Sequence, residues 1–310
     1  MKLIYFIITS LFLFSCKKKE TSQPEGISAQ NITVSVQPKK TDANYSSTEK
    51  SHYVVNNNQL HLNKLLLFIG GSYSDPKDYN YVCDFGASIG LDVISLSYPN
   101  NVAAAPLGSS SDRLIFDNYR DEICFGNPVS DEVSVNLLNC ISTRATKLII
   151  YLKNTYPIQN WGQYLNESNV LRWDKIILAG HSQGSGHACY LGKKKLVDRV
   201  VMFSGPNDYS NYYNSSANWL NATGLTPLNK HFALLHTKDQ MVSYESQVAN
   251  LRGLGLLTPT ENPVLVDNLT SPYGNSNALS LNIPANSYHG STVGGNAILP
   301  NIWKYMFTSE

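Results

Sequence analysis

The sequence is poor in charge, and neither sign dominates. Charged residues make up 15% of the 310 residues, and the formal net charge at pH 7 is +1. Nucleic-acid binding usually requires a basic surface, and an acidic, unfolded tail requires a negative excess. The sequence has neither, so we expect the partner to be a small or neutral molecule and not a nucleic acid. Composition leaves the oligomeric state open.

Cysteine is also scarce, with five residues and no pair spaced C-x-x-C. That spacing is typical of zinc ribbons and thioredoxin-type sites, so the sequence supports neither, and it implies no metal or organic cofactor. Cys124 and Cys140 bracket a polar loop that a disulfide would close. Oxidation in an exported protein would allow three full pairings among four residues, and the sequence does not choose among them: Cys83, Cys124, Cys140 and Cys189.

The only long apolar run lies at the N-terminus, where residues 3–14 are apolar apart from Thr9 and Ser10. This run is too short to span a membrane as a mature helix. The residues that end it, Leu-Phe-Ser-Cys at 13–16, resemble a bacterial lipobox. The resemblance implies a signal peptide over 1–16 and a lipidated Cys16 that anchors an exported protein to a bacterial membrane, on its periplasmic or cell-surface side. A plain secretory leader is the alternative.

A polar stretch rich in Ser, Thr, Gln, Asn and Pro follows the leader. It predicts a flexible tether over residues 17–54. Within it, residues 31–36 alternate strictly between apolar and polar side chains, so an edge strand there stays open. The remainder, 55–310, has the size of one catalytic domain.

From residue 60 onwards, apolar segments that suit buried strands alternate with segments of helical periodicity. Strands are predicted at 64–69, 91–96, 173–179, 199–203, 232–235 and 279–283. Helices are predicted at 75–89, 133–156, 184–195 and 298–307, and a polar surface excursion at 100–131. Such alternation predicts an α/β fold, a mostly parallel sheet with helices on both faces.

One pentapeptide, Gly-His-Ser-Gln-Gly at 180–184, follows a predicted strand and opens a helix rich in small residues. A Gly-x-Ser-x-Gly string is weak by itself, but strand, turn and helix together are the context of a nucleophile elbow. The glycines let strand and helix approach closely around a sharp turn. We therefore predict Ser182 as the nucleophile.

A serine hydroxyl needs a base, and the base needs an orienting acid. His289 lies in a polar loop before the last predicted helix, whereas His231 and His236 flank a strand and are interpreted as structural. Asp239 follows a predicted strand at the sheet edge where α/β proteins carry their sites, so it is the predicted acid. Asp208 is the alternative acid, and Asp267 is a more distant third candidate.

Together, the elbow, the acid loop and the histidine loop resemble the α/β-hydrolase superfamily, among its bacterial esterase and lipase-like members. The resemblance covers residues 60–307. It implies a single-domain α/β-hydrolase fold and a triad of Ser182, Asp239 and His289 that works through an acyl-enzyme. Carboxylic ester hydrolysis is the implied activity, on a small-molecule or lipid ester. The alternatives are a peptidase or amidase of the superfamily, and a non-catalytic, surface-anchored binding protein on the same fold.

The resemblance also implies an oxyanion hole made from the amide of Gln183 and one amide near Gly71 and Ser72. The chain departs from the usual lipase pattern because it lacks His-Gly before its glycine pair. The insertion at 208–230 contains four aromatic residues that either line a substrate cleft as a lid or pack the loop itself: Tyr209, Tyr212, Tyr213 and Trp219.

Overall fold

A computed structural model describes residues 30–46 and 48–309. The predicted signal peptide, its lipidation site Cys16 and the first part of the predicted tether lie outside the described residues. None of the helices in the described part is long and apolar enough to cross a membrane.

The described strands are, in chain order, β1 (Asn31–Val36), β2 (His52–Asn57), β3 (Leu65–Ile69), β4 (Asp92–Leu96), β5 (Ile176–His181), β6 (Arg199–Phe203), β7 (Tyr209–Ser210), β8 (Ser215–Ser216), β9 (His231–His236), β10 (Val264–Leu265) and β11 (Ala278–Leu281). Nine of them form one sheet in the order β1-β2-β4-β3-β5-β6-β9-β11-β10. β1 pairs antiparallel with β2, and β2 pairs antiparallel with β4. All pairs from β4 to β10 across the sheet are parallel. β7 pairs with β8 outside it.

The helices of the described part are α1 (Pro38–Thr41), α2 (Asn80–Ser88), α3 (Ile115–Phe125), α4 (Ile141–Thr155), α5 (Gln183–Lys194), α6 (Asn218–Asn221), α7 (Tyr244–Leu254) and α8 (Leu299–Thr308). Side chains of β3 alternate between two buried clusters, as the pleat of a strand requires. Leu67 packs with the cluster that includes α3, α4, α5 and α7, whereas Phe68 packs with α2 and α8. Helices therefore cover both faces of a mostly parallel sheet, and the predicted single-domain α/β-hydrolase fold is confirmed.

The sheet includes residues that the sequence alone assigns to the tether. β1 occupies 31–36, the stretch left open as an edge strand, and β2 begins at His52, before the predicted domain start at residue 55. β2 is buried along its whole length because it lies between β1 and β4. The folded part of the chain therefore begins earlier than the predicted boundary.

The predicted polar excursion at 100–131 contains the helix α3. Two charged residues of this helix, Arg120 and Glu122, are buried because each has partners that the sequence does not reveal. Arg120 pairs with Asp208, and Glu122 accepts hydrogen bonds from three backbone amides. Those amides belong to Val129, Ser130 and Val135. The loop between Cys124 and Cys140 is thus held by a carboxylate, and the four described cysteines are buried and free of disulfides.

Candidate active site

The turn between β5 and α5 holds Ser182 in a strained backbone conformation, with φ 56° and ψ −123°. Two glycines make the turn possible. A Cβ on Gly180 would lie 2.1 Å from the carbonyl oxygen of Gly184, and a Cβ on Gly184 would lie 1.9 Å from that of Ile69. Side chains at either position would therefore collide with backbone. This geometry is that of the nucleophile elbow expected from the sequence.

Asp239 and His289 meet at the carboxyl ends of the parallel strands, although 50 residues separate them. His289 Nδ1 donates to Asp239 Oδ2 at 2.7 Å. The Asp239 side chain is completely buried, and 11% of the His289 side chain is exposed. The structure thus brings the predicted acid and base together, with the imidazole edge open towards a cavity.

Four hydrogen bonds hold the Asp239 carboxylate. Besides His289, the side chain of Gln247 donates to Oδ2 at 3.0 Å, and the amides of Met241 and Val242 donate to Oδ1 at 2.9 and 3.0 Å. Burial alone would raise the pKa of Asp239, but the hydrogen bond and charge of His289 and the two amides outweigh it and lower the pKa. The Asp239 carboxylate therefore stays ionised beside the imidazole.

The backbone of His289 is fixed by contacts that sequence reasoning missed. Its carbonyl accepts from His181 Nε2 at 2.9 Å and from Ser204 Oγ at 2.7 Å, and its amide donates to Gln240 Oε1 at 3.1 Å. Burial lowers the pKa of His181 to about 3, so this imidazole is neutral. With Nε2 donating, its Nδ1 faces the hydroxyl of Tyr79 at 3.4 Å. The only feature of the sequence that could have pointed to this contact is the position of His181 next to Ser182 in the Gly-His-Ser-Gln-Gly motif.

Ser182 and His289 line the same cavity of about 260 Å³. Within the described residues, no hydrogen bond joins their side chains; instead Asn207 Nδ2 donates to Ser182 Oγ at 3.5 Å. In free enzymes such catalytic bonds are often long and shorten when substrate binds. The sequence analysis did not predict a contact between Asn207 and Ser182, since it singled out only the adjacent Asp208, as a possible acid. The cavity wall is largely apolar, and includes Ala103, Ala104, Ala105 and Val242.

In the loop after β3, the backbone amides of Gly71 and Ser72 differ in whether they already donate a hydrogen bond. The Gly71 amide donates to the Tyr79 hydroxyl at 2.7 Å, so it is already occupied. Within the described residues, the Ser72 amide has no hydrogen-bond partner. Gln183 is the first residue of α5, where amides lack a helical acceptor. Its side chain also accepts from Ser72 Oγ at 2.5 Å, which ties this loop to the elbow.

The alternative acids lie elsewhere. Asp208 is buried in an ion pair with Arg120, whose Nε donates at 2.9 Å, and it accepts from Trp219 Nε1 at 2.8 Å. Burial would lower the pKa of Arg120, but the adjacent carboxylate raises it. Asp267 accepts from the amide of Asn282 at 2.9 Å, and neither carboxylate contacts His289. The pairing with Arg120 gives Asp208 a structural position beneath the elbow.

The remaining histidines interpreted as structural are held by backbone. His231 Nδ1 donates to the carbonyl of Pro227 at 3.0 Å, and His236 Nε2 to that of Ile283 at 2.9 Å. Burial lowers the pKa of His231 to about 4. Among the described residues, no group of three His, Cys, Asp or Glu side chains is arranged to hold a metal ion.

The aromatic insertion at 208–230 packs against a neighbouring loop. Tyr213 donates its hydroxyl to the carbonyl of Ser111 at 2.6 Å, and the guanidinium of Arg113 lies 3.8 Å from the centre of its ring. None of the four aromatic residues of the insertion lines the cavity at Ser182. The structure thus favours the second interpretation of these side chains, in which they pack the loop itself.

No protein-family model matches the chain, and no curated protein matches it. Solved structures with similar folds include a thermophilic esterase from Thermogutta terrifontis, with 12% identity over 89% of each chain and a TM-score of 0.43. TT1662 from Thermus thermophilus has 12% identity over 90% of this chain and 96% of that one, with a TM-score of 0.42. Dienelactone hydrolase from Anabaena variabilis has 14% identity over 89% and 94%, with a TM-score of 0.41. At these values the likeness says nothing about the substrate or reaction of this chain.

Proposed function

We propose that the protein is a serine hydrolase that cleaves a carboxylic ester or another acyl group. The observation that carries this proposal is the Asp239–His289 hydrogen bond of 2.7 Å, which holds an imidazole that lines the same cavity as the strained Ser182. A buried carboxylate that fixes the tautomer of an imidazole beside a serine is the arrangement that serine hydrolysis needs.

In the proposed reaction, His289 Nε2 removes the proton from Ser182 Oγ as this oxygen attacks the ester carbonyl carbon. The carbonyl oxygen becomes an oxyanion, which the amides of Ser72 and Gln183 stabilise; the occupied Gly71 amide is the weaker candidate. His289 then gives its proton to the departing alcohol, leaving an acyl-enzyme on Ser182. A water molecule, deprotonated by the same imidazole, then attacks the acyl carbon, and the imidazole returns that proton to Ser182 Oγ as the acid departs.

Covalent labelling with a fluorophosphonate tests the proposal directly. The full-length protein and its Ser182→Ala variant are treated with the probe and assayed on esters of increasing acyl length. We expect labelling and turnover by the wild type only. Ser110→Ala, a change of the same kind in a serine that does not line the cavity, serves as the control and should leave both signals intact. A wild type that neither reacts with the probe nor hydrolyses any ester would rule the proposal out and favour a binding protein.

A further inference from the structure

Tyr73 follows Ser72 directly, and it stands out from other exposed aromatic residues. Its φ is 61°, in the left-handed region, and 62% of the residue is exposed. A bulky side chain in this region costs free energy, and such strain clusters at functional sites. Tyr73 also lines the cavity that contains Ser182 and His289.

Four hydrogen bonds hold this strained segment in place, two at backbone atoms of Tyr73 and two at nearby carbonyls. Its amide donates to the carbonyl of Asn100 at 2.9 Å, and its carbonyl accepts from Lys50 Nζ at 2.7 Å. The side chain of Asn100 donates to the carbonyls of the flanking residues Gly71 and Ser74 at 2.9 and 3.0 Å. These hydrogen bonds thus fix the backbone that carries the Tyr73 ring.

The Tyr73 side chain makes no hydrogen bond or ring contact, within the described residues, that would stabilise the fold. Within residues 30–46 and 48–309, the Tyr73 hydroxyl forms no hydrogen bond, and no aromatic or cationic side chain packs on the ring. The equally exposed Tyr212 differs, because it packs on the ring of Tyr213 with centroids 4.8 Å apart. Met241 lines the same cavity and is 70% exposed. Two exposed side chains with large apolar parts, Tyr73 and Met241, therefore stand where this cavity meets the surface.

We propose that Tyr73 is a substrate-contacting residue that packs its ring against an apolar ring or chain carried by the ester. This inference rests on the proposed ester hydrolysis and adds a substrate class to it: esters with an apolar group next to the scissile bond. Flat contact between a tyrosine ring and another ring contributes about 1 kcal/mol, which corresponds to a factor of about five in kcat/KM.

The test compares three esters on the full-length protein: ethyl acetate, phenyl acetate with a ring on the alcohol, and ethyl phenylacetate with a ring on the acyl group. For each ester, kcat/KM of Tyr73→Gly is divided by that of the wild type, which cancels differences in intrinsic reactivity. We expect this ratio to be about fivefold lower for one of the ring esters than for ethyl acetate. The ring ester affected identifies the side of the substrate that Tyr73 contacts.

Two further variants separate recognition from structure. Tyr73→Phe retains the ring and should keep the wild-type preference, and the matched control Tyr212→Gly should leave all three ratios near one. Glycine tolerates the left-handed conformation, so the melting temperature of Tyr73→Gly should not fall. Equal ratios for all three esters, or a melting temperature several degrees lower, would overturn this inference while ethyl acetate turnover still supports the hydrolase. Absence of both turnover and fluorophosphonate labelling in the wild type would instead refute the proposed function, and this inference with it.

Discussion

Two buried aspartates, Asp239 and Asp208, lie close to the elbow and have different partners. Asp239 accepts a hydrogen bond from an imidazole that lines the cavity, whereas Asp208 pairs with Arg120, which also donates to the carbonyl of Gln183 at 2.7 Å. Both follow strands and both suited the role of acid in the sequence. Only the side-chain contacts distinguish the two aspartates, because the partner of Asp208 is Arg120, which is distant along the chain.

Exchanging each aspartate for asparagine should separate these roles. Asp239→Asn should lower kcat by about three to four orders of magnitude, because the imidazole loses the group that fixes its tautomer. Its urea unfolding midpoint should change little by comparison. Asp208→Asn should lower the free energy of unfolding by about 3 kcal/mol, because Arg120 remains buried without its counter-charge. Ester turnover and urea unfolding of both variants provide the measurement. If Asp208→Asn stays folded but loses as much turnover as Asp239→Asn is expected to lose, the acid would be Asp208.

The residues proposed to carry the reaction could be picked out from the sequence, and the residues that contact them could not. Ser182 lies in a local motif, and His289 and Asp239 follow from the order of elements. His181 and Asn207 act through contacts with residues more than 20 positions away, as their partners His289 and Ser182 show. No spacing rule predicts such contacts, since they depend on how the loops after different strands meet.

At the scale of elements, the loop after β3 is held in place by a segment that follows another strand. Asn100, which follows β4, ties the carbonyls of Gly71 and Ser74 together, and so fixes the amide of Ser72 between them. An amide donor of this kind works only when it is held in place before the oxyanion forms.

Replacing Asn100 by serine should therefore loosen the proposed oxyanion loop. We expect kcat to fall about tenfold with a smaller change in KM, because the lost order affects the transition state more than substrate binding. The adjacent Asn101→Ser is the matched control, since Asn101 is exposed and makes no side-chain hydrogen bond within the described residues. Steady-state kinetics on one short ester measures both. Equal kcat in the two variants would contradict the role of Asn100.

Most core strands and helices were predictable because their apolar periodicity is local. The predicted helix at 133–156 is shorter in the structure, where α4 begins at Ile141, since residues before it form turns. α7 was not predicted, because polar residues such as Gln247 and Asn250 are buried in it by hydrogen bonds to Asp239 and to the carbonyl of Pro206. Hydrophobic pattern alone does not reveal a helix face that is buried through polar contacts.

At the scale of the whole molecule, Asp92 links stability to pH. It opens β4, is 5% exposed, and accepts a hydrogen bond from the Tyr164 hydroxyl at 2.5 Å. Burial raises the pKa of Asp92 from 3.8 to about 6. A raised pKa in the folded state favours the protonated form, so this contribution to stability is full below about pH 4 and is lost as the pH rises through 6.

The variant Asp92→Asn is uncharged at every pH and should remove this loss. At pH 8 we expect its free energy of unfolding to exceed that of the wild type by about 3 kcal/mol, and at pH 4 to be nearly equal. Urea unfolding at both pH values provides the measurement, with the exposed Asp174→Asn as the control. A variant less stable than the wild type at pH 8 would show that the charged carboxylate stabilises the fold.

The hydrogen bonds from Gly71 through Tyr79 and His181 to His289 connect three loops into one unit. The side chains at the mouth of the cavity, Tyr73 and Met241, form no part of that unit. Single substitutions of these two side chains can therefore change which substrates suit the proposed reaction while the connected unit stays intact. Changes within the connected unit have coupled effects, so several positions would have to change together. The fold thus keeps the side chains proposed to select the substrate apart from the hydrogen-bonded unit that supports the proposed reaction.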